Sequence, residues 1–319
     1  MKTTALMVLT GVIALSGCSK DSFSDKPLKA GEISFESGIQ TKGGPVTGTQ
    51  FASGAEVGVY TLENPGGTPT WTNATGGSTN NLLMDNIACT ANGSGGLTYG
   101  PAKLYKDGAK YSFFAYYPYT STITAPSAGQ SPKLACTFNT TPSEQVDYMY
   151  ATPLENQTPT DNAKLLKFNH ALTQITVKVV NGTEKAITLN SLKVKAPSGA
   201  TLNISNGVWS SPGGETTYNL YGPATTQSIA VSSSFLIPGH LMLLPVANGG
   251  TAYTFDMNVT EAGESSATDK TNQTLTLPSG GMQAGYSYEY TITYGSSSIQ
   301  LSTSVVEWQH VSGPGITVK

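Results

Sequence analysis

The hydrophobic positions along most of this chain recur every second residue. Tyr286, Tyr288, Tyr290, Ile292 and Tyr294 alternate with Ser287, Glu289, Thr291 and Thr293. Tyr253, Phe255, Met257 and Val259 alternate with Thr254, Asp256, Asn258 and Thr260. Ile175, Val177 and Val179 alternate with Thr176 and Lys178, and Leu192 and Val194 with Lys193 and Lys195. Neighbouring side chains on a strand point to opposite faces, so this period turns one face inward and leaves the other wet. Gly, Pro, Asn and Ser clusters separate the runs and supply turns. Beyond the first 17 residues, no stretch keeps a helical period over three turns without a Gly, a Pro or a β-branched run. The pattern predicts an all-β protein built as a sandwich or barrel.

The first half is less regular. It holds Val57 to Tyr60, the apolar run Tyr111 to Tyr119, and long Gly-, Thr- and Asn-rich loops. Pro159, Asp161 and Asn162 punctuate the chain near its middle. Two β-sandwich domains in series are therefore expected, over residues 31–160 and 161–319. Residues 19–30 read as a polar tether, stiffened slightly by Pro27.

The beginning of the chain carries an address. Lys2 is followed by a mostly apolar run from Ala5 to Leu15. That run is too short to cross a hydrocarbon core as a helix, which takes roughly 20 residues, and it fits the core of a signal peptide. Leu15-Ser16-Gly17-Cys18 then resembles the lipobox of bacterial lipoproteins. The resemblance implies cleavage before Cys18 and acylation of that cysteine, with two or three acyl chains holding the protein where one would be marginal. Ser19-Lys20-Asp21, with Asp25, weakly resembles the surface-export signal of Bacteroidetes lipoproteins. The expected location is the outer membrane at the cell surface.

Composition narrows the function. The chain has 319 residues, of which 12% are charged, and all 17 basic residues are Lys. Removal of Lys2 leaves 16 Lys against 20 acidic residues. Nucleic-acid binding, which calls for clustered Lys and Arg, is not expected. Beyond Cys18 stand Cys89 and Cys136, either a disulfide, which export permits, or two buried thiols. His170, His240 and His310 lie far apart without metal-ligand spacing, and no metal or other cofactor is expected. No Gly-x-Ser-x-Gly elbow, phosphate loop or His-Glu-x-x-His run occurs, so the chain does not read as an enzyme. His170 reads as a strand-start histidine bonded to backbone.

Several segments, in order, resemble the fimbrillin family, the subunits of Bacteroidetes type V pili. They are the lipobox at Cys18; Phe51 through Val57-Gly58-Val59-Tyr60; Tyr111 to Tyr119; Asp147-Tyr148-Met149-Tyr150-Ala151; Leu166 to Leu172; Leu243-Leu244-Pro245-Val246; and Gly285 to Tyr290 leading to Val305-Val306-Glu307-Trp308. The resemblance implies two transthyretin-like β-sandwich domains and a lipid-anchored precursor. It also implies assembly with other fimbrial subunits by strand exchange after a protease removes the first strand. Ile33, Phe35 and Ile39 suit that strand, since they alternate with polar or small residues. Candidate donor residues are Ile299, Leu301 and Val305, or Ile316 and Val318 nearer the end. In the family the cut commonly follows Arg, and this chain has none, so Lys42, before Gly43, is the candidate site. The other reading is a non-polymerising surface lipoprotein that binds host or bacterial glycans or proteins, with Trp71, Tyr116 or Trp209 as stacking platforms.

Overall fold

A computed structural model describes residues 31–40, 50–71, 81–127, 129–222, 226–295, 298–306, 308 and 316–317. Among them the chain is all-β, with one short 3-10 turn at Pro142–Glu144 and no α-helix. In the first half, β3 (Glu56–Asn64), β4 (Asn81–Ala91), β5 (Gly96–Thr98), β1 (Phe35–Gln40), β10 (Lys164–His170), β8 (Met149–Ala151) and β6 (Lys110–Tyr117) are hydrogen-bonded in that order. β6 pairs back onto β3, so the circuit of pairings closes. β9 (Leu154–Gln157) attaches to β6.

Closure explains why the first half alternates poorly. Val57, Val59, Phe113 and Ala115 fill the ring's interior with Leu166 and Phe168. The opposite faces of the same two strands carry Tyr60, Leu62, Phe114 and Tyr116, and these pack into a second cluster shared with the other half of the chain. With both faces covered, β3 and β6 need no polar alternation, as strands buried on two sides read as continuous apolar runs.

The second half is built mainly from two five-stranded sheets. One orders β17 (Ser234–Leu236), β11 (Thr173–Asn181), β23 (Ser287–Tyr294) and β24 (Ile299–Val306), with β18 (Leu241–Leu243) also on β11. The other orders β15 (Glu215–Tyr221), β12 (Ile187–Pro197), β20 (Thr254–Glu261) and β21 (Thr268–Thr274), with β16 (Gln227–Ile229) also on β12. Val177 and Tyr290 from the first sheet, and Leu192 and Phe255 from the second, meet in one apolar cluster. The alternation legible in the sequence is the alternation of burial, as in β20, where Phe255, Met257 and Val259 are buried.

Chain halves and sheets do not divide at the same place. β7 (Lys133–Thr137) belongs to the first half but pairs with β13 (Gly199–Asn203), which also carries β14 (Trp209–Ser210). Leu134, Cys136 and Phe138 accordingly pack with the second half. At Gly199 a Cβ would stand 2.3 Å from the Cys136 carbonyl oxygen, so this crossing needs a glycine. Two short pairs complete the fold: β19 (Val246–Ala247) with β22 (Gly281–Met282), and β2 (Gln50–Phe51) with β25 (Ile316–Thr317).

Candidate functional site

β1 is one stave of the closed ring, and the slot it fills is the candidate site. Along one edge it runs parallel to β10 through six residue pairs, from Phe35 opposite Lys164 to Gln40 opposite Asn169. Along the other it meets β5 antiparallel at Phe35 and Glu36. Flanking backbone bonds extend this edge: Ile33 donates to the Lys103 carbonyl at 2.9 Å, and Tyr105 donates to Gly31 at 2.8 Å. β1 therefore satisfies two strand edges at once, edges that would otherwise present unpaired N–H and C=O groups.

Its inward face is apolar at three of four places. Ile33, Phe35 and Ile39 are all at most 2% exposed. The Phe35 ring lies edge-on to Phe113, centroids 5.6 Å apart, and against Tyr99 at 5.9 Å. Tyr99 in turn donates its hydroxyl to the Ile33 carbonyl at 2.6 Å. Phe51, on β2, packs on Phe168 and Tyr117, both at 4.9 Å. Ser37 is the fourth inward residue and is buried. Its amide and its hydroxyl both donate to the Gly95 carbonyl, at 2.7 and 3.2 Å.

Of the candidate donor residues, Ile299, Leu301 and Val305 lie on β24, which is paired with β23 in an unbroken eight-residue register. Ile299 and Leu301 are half-buried against the second cluster, while Val305 is exposed. Ile316 lies opposite Phe51 through backbone pairing. Cys18, Lys42, Gly43 and Val318 lie outside the described residues.

Cys89 and Cys136 are two separate free thiols. Cys89 is buried in the ring and Cys136 in the shared cluster, so the disulfide weighed from the sequence does not form. Burial pushes the Cys89 thiol up to about 12 and raises Cys136 as well. Since the thiolate is the nucleophile, neither should react with a thiol reagent near neutral pH. Peptide mapping after alkylation is expected to find both unmodified in the native protein and both modified after denaturation.

The aromatic trio does not form open platforms. Tyr116 is fully buried and donates its hydroxyl to Asn86 at 2.7 Å. Trp71 is wedged against Phe114 and Tyr60, at 4.8 and 6.0 Å. Trp209 donates to the Ala171 carbonyl at 2.7 Å and meets Phe138 edge-on. Of the three, Tyr116 lies on β6, which is covered on both faces, while Trp71 and Trp209 are half-buried against the shared cluster. A cavity of about 550 Å³ does open beside Pro197, Pro212, Leu244, Pro245 and Tyr253. Lys195 on its wall is already paired with Asp256 at 2.9 Å.

His170 departs from its expected role. It ends β10, and its Nδ1 lies 2.7 Å from Asp147 Oδ2, a carboxylate partner rather than backbone. The side chains are 0% and 1% exposed. Trp308 is buried over the His170 ring at 4.2 Å. The pair arises because β8 and β10 run antiparallel with Met149 opposite His170, which brings residues 23 apart together. Nothing local in the sequence marks it. Among the described residues, no group of three or more His, Cys, Asp or Glu side chains is placed to hold a metal.

The fimbrillin-like family model matches residues 45–308. A protein of Bacteroides uniformis named as fimbrium subunit Fim1C is 27% identical over 99% of both chains. Two solved structures of proteins described as cell adhesion proteins share the fold. One, from Bacteroides ovatus, has a TM-score of 0.53 at 15% identity and covers 88% of this chain and 99% of its own. The other, from Parabacteroides distasonis, has a TM-score of 0.53 at 10% identity and covers 90% of this chain and 100% of its own.

Proposed function

The chain belongs to the fimbrillin-like family, and from that premise we propose that it is a structural and adhesive subunit of cell-surface fimbriae. In this reading it is exported as an outer-membrane lipoprotein anchored at Cys18, and a protease then cuts between Lys42 and Gly43. The first strand leaves with the anchor, and a strand from another fimbrial subunit takes its place. Residues 31–160 and 161–319 are read as two transthyretin-like sandwiches in series. The 27% identical relative named as a fimbrium subunit supports the subunit role.

The observation that carries the exchange reading is the double pairing of β1. A strand hydrogen-bonded on both edges, with three apolar side chains in the interior, leaves a slot specific for another strand when it goes. Backbone ladders then supply affinity and alternate side chains supply register. β24 is a donor only by giving up its register with β23, whereas Ile316 and Val318 offer a shorter segment. Tyr116 is buried, and Trp71 and Trp209 are half-buried and engaged with Phe114 and the Ala171 carbonyl, which favours the subunit reading over the glycan-binding alternative.

N-terminal sequencing of the surface-assembled form tests the reading. A start at Gly43 is expected. Recovery of lipidated Cys18 alone would overturn strand exchange and leave a permanently anchored protein.

A further inference from the structure

We propose that the β1 slot selects its incoming strand by a four-place code: aliphatic, large apolar, hydroxyl, aliphatic, on alternate residues. The inference rests on the exchange reading above and names the partner: a strand of a second fimbrial subunit that is uncharged at its four inward places, with Ser or Thr in the third.

The four places are those of Ile33, Phe35, Ser37 and Ile39. Three have apolar walls, and the Phe35 place has aromatic ones, Phe113 and Tyr99. The third place differs. Its wall is bare backbone at Gly95, whose φ of +97° strains any residue with a Cβ. A Cβ there would also stand 3.3 Å from Gln50 Nε2. The Gly95 carbonyl receives both hydrogens that Ser37 offers. Place three thus presents a backbone acceptor to the incoming side chain. A hydroxyl suits it; a carboxylate would be set against that carbonyl oxygen.

One polar place among apolar ones also sets register. Sliding the strand by two residues one way puts the hydroxyl among the rings of Phe113 and Tyr99, and sliding it the other way puts the large side chain against Gly95. Apolar places alone would accept several registers, and the single mismatch penalises all but one. β24 shows that the code is available within this chain: Ile299, Leu301, Thr303 and Val305 repeat the spacing, with a hydroxyl third. Its residues between and beside these, Gln300, Ser302, Ser304 and Val306, carry no charge.

The test uses the full chain cleaved after Lys42 and freed of its first strand, with labelled eight-residue peptides added back. The parent peptide has the sequence of residues 33–40, and a second has that of residues 299–306. Variants of the parent carry Ser37→Thr, Ser37→Ala or Ser37→Asp. Parent and threonine peptides are expected to bind within about threefold of each other, and the alanine peptide about fivefold more weakly, as one lost hydrogen bond predicts. The aspartate peptide is expected to lose more than about tenfold, because burying a charge against a carbonyl oxygen is costly. The 299–306 peptide is expected to bind and to compete with the parent. An aspartate peptide that binds as tightly as the parent overturns the code while leaving exchange intact. Failure of the parent itself to rebind overturns both.

Discussion

Replacing His170 with alanine is expected to lower the unfolding free energy by about 3–5 kcal/mol, through a buried acceptor left unsatisfied and the space the ring leaves empty. The expectation follows from what remains. Asp147 is 1% exposed and keeps a carboxyl group whose Oδ2 has lost its 2.7 Å partner. Its Oδ1 has no hydrogen-bond partner among the described residues even before the change. Trp308, stacked at 4.2 Å, loses the ring it covers, and a cavity opens beneath it. The double variant His170→Ala with Asp147→Asn replaces the carboxyl as well as the imidazole, and should recover a good part of the loss. Denaturant unfolding of the single and double variants reads this directly. A single-variant loss below about 1 kcal/mol, in the range of exposed pairs, would show that the pair carries no such weight.

Phe35→Ala is expected to cost about 3–5 kcal/mol, as truncation of a buried aromatic does. It strips the largest side chain from β1 and leaves Phe113 and Tyr99 facing a void. The consequence for function is larger than the loss of stability alone suggests. β1 is held by ladders on two edges and by its inward side chains, so weakening the latter should free the strand from its slot more often. A protease should therefore reach residues 33–40 sooner in the variant. Glu36→Ala is the control: Glu36 lies between Phe35 and Ser37 on the same strand, half-buried on the outward side. It should leave the cleavage rate nearly unchanged. Equal rates for both variants would mean that Phe35 does not anchor the strand.

The sequence exposed the strands whose two faces differ. β11, β12, β20 and β23 were legible because one face of each meets the shared cluster and the other does not. The inward side of β1 was legible for the same reason. Tyr111 to Tyr119 was legible as an apolar run but not as a stave lying between two cores. Nothing in residues 133–137 announced that they would join β13 across the middle of the chain. The free state of Cys89 and Cys136 was equally hidden, because it depends on which cluster each thiol enters.

Alternation is a local property: each residue's face follows from its neighbour's, so strand identity and the inward places of the first strand are written in consecutive residues. The resemblance of Leu15 to Cys18 to a lipobox is local in the same way. Pairing partners are not, because backbone hydrogen bonds are alike at every position and carry no record of which strand they join. The closed ring, the Asp147–His170 pair beneath Trp308 and the Gly95 carbonyl that meets Ser37 therefore appear only once distant strands have taken their registers. The sequence by itself determined that the protein is all-β and which faces turn inward. Tertiary structure alone decided that the first strand would be gripped on both edges, and which groups its inward side chains would meet there.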